Sequence, residues 1–117
     1  GYNALSSVER YDPTLDAWEA VAPMAEARYK LAVAVLDGKL YAVGGFGFNG
    51  DCLSSVERYD PTLDAWEAVA PMAEARYKLA VAVLDGRLYA VGGQDAGYNA
   101  LSSVERYDPG TNAWEAV

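Results

Sequence analysis

The apolar residues of this chain fall in short runs divided by turn residues. LAVAVL (31–36) is apolar without a break; Asp37-Gly38 follows, and then KLYAV (39–43). An Asp-Gly pair between apolar segments predicts a hairpin whose two-residue turn needs positive φ. The unbroken run before it predicts a strand buried on both faces. Gly44-Gly45 then breaks the second strand and lets a neighbouring backbone come close. SSVERY (54–59) predicts a third strand. DPTLD predicts a turn, with Pro61 fixing φ after Asp60. AWEAVA (65–70) predicts a fourth strand carrying a large aromatic, ended by Pro71. A helix competes over part of this unit. PMAEARYKLAVAVL opens on Pro, is rich in helix formers and sets Glu26 four residues before Lys30, which suits a helix of about 12 residues. The Asp-Gly turn directly after it favours a strand from Leu31, with AEARYK as a loop.

The pattern repeats. Trp18, Trp66 and Trp114 are each 48 residues apart, as are Tyr11, Tyr59 and Tyr107. Residues 5–45 match 53–93 with one change, Lys39 to Arg87, and a partial third copy runs over 97–117. A fixed period of this size predicts an array in which each unit buries its face against the next. The expected division is a half-unit at 1–24 and full units at 25–72 and 73–117, ten strands in all.

Composition narrows the function. A chain of 117 residues, 52% hydrophobic and 22% charged, suits one packed domain. No apolar run approaches the roughly 20 residues of a membrane helix, so no membrane partner is expected. Neither an initiator Met nor a signal peptide opens the chain, and GYNALSSVERYDP reads as the interior of a longer array. A net charge of −8 argues against nucleic acid as a partner. Cys52 is the only cysteine, so no disulfide forms within the chain, which fits a reducing compartment. The absence of histidine removes Ser-His-Asp triads, Cys-His pairs and His-containing zinc sites. Asp51 and Asp95 have no spacing that supports a carboxylate-only active site. The expectation is a non-enzyme, with no catalytic residue, no cofactor and no metal.

A double glycine, a Tyr fourteen positions on and a Trp seven beyond that resemble the Kelch repeat. Gly44-Gly45, Tyr59 and Trp66 match it, and so do Gly92-Gly93, Tyr107 and Trp114. SSVERYDP, AWEAVAPM and VAVLDGKLYAVGG are similar to Kelch blades of BTB-Kelch proteins. The resemblance implies an all-β fold: Kelch-type β-propeller blades of four antiparallel strands, labelled a to d from the VAVL strand at the centre to the Trp strand at the rim. The chain would hold c and d, then two full blades. That is an incomplete propeller, since closure needs four to eight blades; further blades or self-association would be required. The resemblance also implies a protein-interaction scaffold. In the family such propellers recruit substrates to cullin-based ubiquitin ligases or bind actin. A cytoplasmic location, with a nuclear one as the alternative, is expected for this chain. No BTB or BACK segment is present here. Kelch-like enzymes such as galactose oxidase use a copper centre that needs histidines. A third reading is a fragment or a deliberately made repeat with no independent activity; Cys52 and the irregular GFGFNGDC loop argue against a tidy consensus design.

Most repeated residues read as scaffold. The three tryptophans are expected to pack between blades. Tyr11, Tyr59 and Tyr107 are expected to do the same, with their hydroxyls on backbone groups. Met24 and Met72 are expected to fill gaps. Glu57 and Arg58 point to opposite faces, toward a neighbouring blade or toward water. Function is expected in the loops. The d–a connections (24–30 and 72–78) and the b–c loops (46–52 and 94–100) should emerge on one face, which carries the partner site in the Kelch propellers this chain resembles. The connections hold Arg28, Tyr29, Lys30, Arg76, Tyr77 and Lys78, with four of the nine basic residues of an acidic chain. That predicts capture of a protein or peptide partner, acidic or phosphorylated; the competing reading is solvated loop charge. The b–c loops add Phe48, Asn49, Asp51, Gln94 and Tyr98, of which the exposed aromatics suit interface anchors. Phe46 is expected to fold back over its blade, and Cys52 to offer a loop thiol.

Overall fold

The computed structural model describes residues 4–117. It contains ten strands and, among the described residues, no helix. A two-stranded sheet pairs β1 (Val8–Asp12) with β2 (Ala17–Val21). A four-stranded meander follows: β3 (Ala32–Leu36), β4 (Lys39–Val43), β5 (Val56–Asp60) and β6 (Ala65–Val69). A second meander repeats it: β7 (Ala80–Leu84), β8 (Arg87–Val91), β9 (Val104–Asp108) and β10 (Ala113–Ala116). All neighbouring strands are antiparallel. The helix that competes for residues 25–36 does not form; a loop precedes β3, as the Asp-Gly turn favours.

Turn chemistry sets the registers. Asp37-Gly38 and Asp85-Gly86 both hold two consecutive positive φ values, 52° and 74° in the first pair, which matches the right-handed twist of the flanking strands. The two DPTLD turns and the corresponding DPGTN turn (108–112) end in a left-handed residue, Asp16, Asp64 and Asn112. Asp and Asn tolerate that backbone because the short polar side chain bonds locally.

The meanders stack face to face. The front of the first supplies Leu36, Tyr41, Val43 and Val56; the rear of the second supplies Leu79, Leu88, Ala90 and Tyr107. Met72 closes the contact and Trp114 packs against it. Tyr41 and Tyr107 meet with ring centroids 5.7 Å apart, close to the tilted arrangement aromatic pairs prefer.

Each sheet is pinned to the one before it through its rim. Trp66 Nε1 donates to the Ala22 carbonyl and Trp114 Nε1 to the Ala70 carbonyl, both at 2.8 Å. The Ala22 and Ala70 amides donate to Asp64 and Asn112. Among the described residues Trp18 has no sheet behind it and is 66% exposed, so the expectation of three packed tryptophans holds for two. The tyrosine hydroxyls bond side chains and not the backbone: Tyr11 to Asp16, Tyr59 to Asp64 and Tyr107 to Asn112. The strand expected to be buried on both faces is also corrected. Ala32, Ala34 and Leu36 face the next sheet, while Val33 and Val35 lie exposed on the other side. The cause is that β1–β2 covers only the outer half of that rear face.

Candidate partner-binding site

The double glycine builds the site. Gly45 and Gly93 sit at φ 95° and 91°, and a Cβ on either would lie 2.6 Å from the carbonyl of Tyr29 or Tyr77. Only glycine lets the d–a connection cross that close. The crossing is locked by backbone bridges, Tyr29 with Phe46 and Tyr77 with Gln94. The Lys78 amide also donates to the Lys30 carbonyl. The d–a connections and b–c loops therefore reach one face together.

Two of the four expected surface cations are not on that face. Arg28 and Arg76 are buried, with side chains fully shielded from water. Arg76 Nη1 donates to the carbonyls of Gly92 and Ser103; Nη2 donates to Ser103 Oγ and to Glu105 Oε2 at 3.1 Å. Arg28 makes the corresponding bonds to Gly44, Ser55 and Glu57. Glu57 in turn accepts from the amides of Ala25 and Glu26, and Glu105 from those of Ala73 and Glu74. Each ion pair thus nails a connection to the sheet it leads into. A buried charge persists only when paired and hydrogen-bonded, and the fork of guanidinium suits several acceptors at once. Sequence spacing alone does not distinguish a loop arginine that faces water from one that turns inward. The buried glutamate 29 positions downstream of each arginine is the signal that would have found it.

The remaining candidates do gather. Tyr29, Lys30, Phe46, Gly50, Tyr77, Lys78, Gln94 and Tyr98 line a cleft of about 500 Å³ at the junction of the two meanders. Phe46 lies between Tyr29 and Tyr77, with ring centroids 5.4 and 4.1 Å away. Its fold-back is the expected one, but it makes Phe46 part of the cleft, which the sequence reading did not assign. Lys30 Nζ stands 5.9 Å from the Tyr29 centroid and 6.0 Å from that of Tyr77, within reach of both ring faces. Lys30 and Lys78 both hold positive φ, an uncommon backbone for a lysine that aims both stems from equivalent points of the crossing. Tyr98 is highly exposed at the rim. Burial pushes the Tyr77 hydroxyl above its ordinary pKa, so it stays protonated. Phe48, Asn49 and Asp51 are exposed in the first b–c loop but do not line the cleft.

Asp95 organises the second b–c loop. The amides of Asn99 and Gly97 donate to it and hold its carboxyl below the usual range. Cys52 is half-buried; burial first, and the Asp95 charge second, push its thiol up, which disfavours the reactive thiolate. Among the described residues, no cluster of His, Cys, Asp or Glu could hold a metal ion, and no helix is long and apolar enough to cross a membrane.

Antiparallel four-stranded meanders, stacked face to face with a tryptophan strand at each rim, define an incomplete β-propeller. The Kelch motif model matches residues 1–25, 27–73 and 75–117. The chain belongs to the Kelch-repeat family. It is similar to Kelch-like protein 35 of Mus musculus, 50% identical over 50 residues, which cover 43% of this chain and 9% of that protein. It is also similar to Kelch-like protein 9 of Mus musculus, 41% identical over 51 residues, covering 44% of this chain and 8% of that one. Kelch-like protein 5 of Homo sapiens is 56% identical over 39 residues, 33% of this chain and 5% of that one. These matches span less than a tenth of the length of the relatives. A solved structure of YjhT shares the fold with a TM-score of 0.80 at 18% identity, over 99% of this chain and 52% of that one.

Proposed function

We propose that the chain is a protein-interaction module that binds a peptide segment in the cleft between Tyr29, Phe46, Tyr77 and Tyr98. The observation that carries this reading is the convergence of four aromatic rings and two lysines from four loops on one cleft. Rigid aromatics supply contact area at little entropic cost, and such residues dominate interface energetics. With Arg28 and Arg76 committed to buried pairs, the positive charge of the cleft is that of Lys30 and Lys78. Asp51 and Asp95 lie in the b–c loops of the same face. The partner is accordingly a segment with one or two carboxylates, or a phosphate, beside an apolar or aromatic residue, and not a polyacidic tract. Rim charges of this kind govern register and on-rate more than raw affinity.

A finer reading is in keeping with the likeness to Kelch-like proteins: joined to the rest of such a protein, the cleft would select substrates for a cullin-type ubiquitin ligase. The test is a fluorescence-anisotropy screen of peptides carrying a carboxylate next to an aromatic residue. Tyr98→Ala and a Lys30→Glu/Lys78→Glu double variant should each weaken binding at least tenfold with unchanged circular dichroism. Binding that survives both variants contradicts the assignment of the cleft.

A further inference from the structure

The half-unit β1–β2 leaves a second cleft. About 350 Å³ of space lies between it and the first meander, walled by Val8, Met24, Leu31, Val33, Leu40 and Trp66. One repeat further on, the same walls are Val56, Met72, Leu79, Val81, Leu88 and Trp114, and there the space is filled by Leu36, Tyr41 and Val43. Those fillers recur as Leu84, Tyr89 and Val91, where no sheet covers them: Leu36 is 3% exposed and Leu84 59%. The chain thus carries an open socket and an open plug whose sequences copy a socket and plug it already joins.

The hairpins beside them are also copies. Residues 5–21 and 101–117 differ only at three turn positions, Thr14, Leu15 and Asp16 against Gly110, Thr111 and Asn112. In the structure β9 pairs with β8, whereas β1 has no strand on its side away from β2 among the described residues. Glu9 and Trp18, the counterparts of Glu105 and Trp114, are exposed.

We propose that a second copy of this chain occupies the socket by hairpin exchange: β1–β2 of one copy replaces β9–β10 on β8 of its neighbour. The register Leu88↔Tyr107 and Val91↔Val104 becomes Leu88 with Tyr11 and Val91 with Val8. Glu9 takes the place of Glu105 against the buried Arg76 of the neighbour, and Trp18 takes that of Trp114 on the Ala70 carbonyl. The ladder bonds lost are re-formed with a near-identical hairpin, so the exchange itself is close to neutral. The gain is closure of the socket by Leu84, Tyr89 and Val91 and burial of both open faces. The contact is head-to-tail and adds two complete blades per chain. A ring then closes at two to four chains, within the four to eight blades that propellers use. The released 101–117 hairpin stays outside the ring.

Light scattering of the full chain across concentration, with Glu9→Lys and Glu105→Lys alongside, tests this. The expected result is one discrete mass of two to four chains. Glu9→Lys should reduce it to a folded single chain, because a cation then meets Arg76 only across the exchanged contact. Glu105→Lys should leave the ring intact, since its hairpin has been released. A wild-type chain that stays single or grows into open-ended polymers overturns the proposal. So does a ring that survives Glu9→Lys or is lost in Glu105→Lys.

Discussion

The arginines at positions 28 and 76 show how far a residue's role depends on what lies across from it. Their letters and loop positions suggest a basic surface, yet in the interior Arg28 makes three hydrogen bonds and Arg76 four. Arg76→Ala would strand Glu105 and two carbonyls, a loss of about 3–5 kcal/mol on the scale of broken buried pairs, read as a lowered urea midpoint. Arg76→Lys should recover little of it, because an ammonium cannot reach the Gly92 and Ser103 carbonyls and Glu105 together. Gly45→Ala is expected to cost about 2 kcal/mol or more, combining left-handed strain with a contact inside van der Waals range. Gly38 is also left-handed but has open space around it, so Gly38→Ala should cost less, and parallel urea melts would rank the two.

At the scale of elements, strand order and turns were legible. Asp37-Gly38, the paired glycines and the 48-residue spacing of Tyr and Trp mark every hairpin, because each needs a backbone that few residues adopt. The cleft was legible in part. Tyr29, Lys30, Tyr77, Lys78, Gln94 and Tyr98 follow from which loops share a face. The inward turn of Arg28 and the ring sandwich at Phe46 depend on packing between repeats, which local pattern does not carry. The rim turns make a pH prediction. The Ala22 amide first, and the Tyr59 hydroxyl second, hold the Asp64 carboxyl below its ordinary pKa. A carboxyl depressed in the folded state stabilises above its unfolded pKa of about 4 and loses that contribution as pH falls through the folded value. Melting temperature should therefore drop below about pH 4. Asp64→Asn, which copies the natural Asn112, should flatten that drop while leaving stability at pH 7 nearly unchanged.

For the molecule as a whole, identical letters have unequal consequences because, among the described residues, only one face of each outer sheet is covered. Leu36 lies under the second meander, whereas Leu84 faces water. Below the concentration at which chains associate, Leu36→Ala should cost about 2–4 kcal/mol and Leu84→Ala within about 0.5 kcal/mol. The repeat makes the comparison clean: local sequence is the same on both sides of each position, so the difference reports stacking alone.

Stacking of the front of one sheet on the rear of the next is the claim on which both clefts depend, and residue-resolved hydrogen exchange tests it most directly. The slowest amides should lie in β4, β5 and β8, which are interior to their meanders, with fast exchange at alternate positions of the edge strand β3. Protection running without a break from residue 25 to residue 36, as a helix would give, or β4 exchanging as fast as the loops, would contradict it.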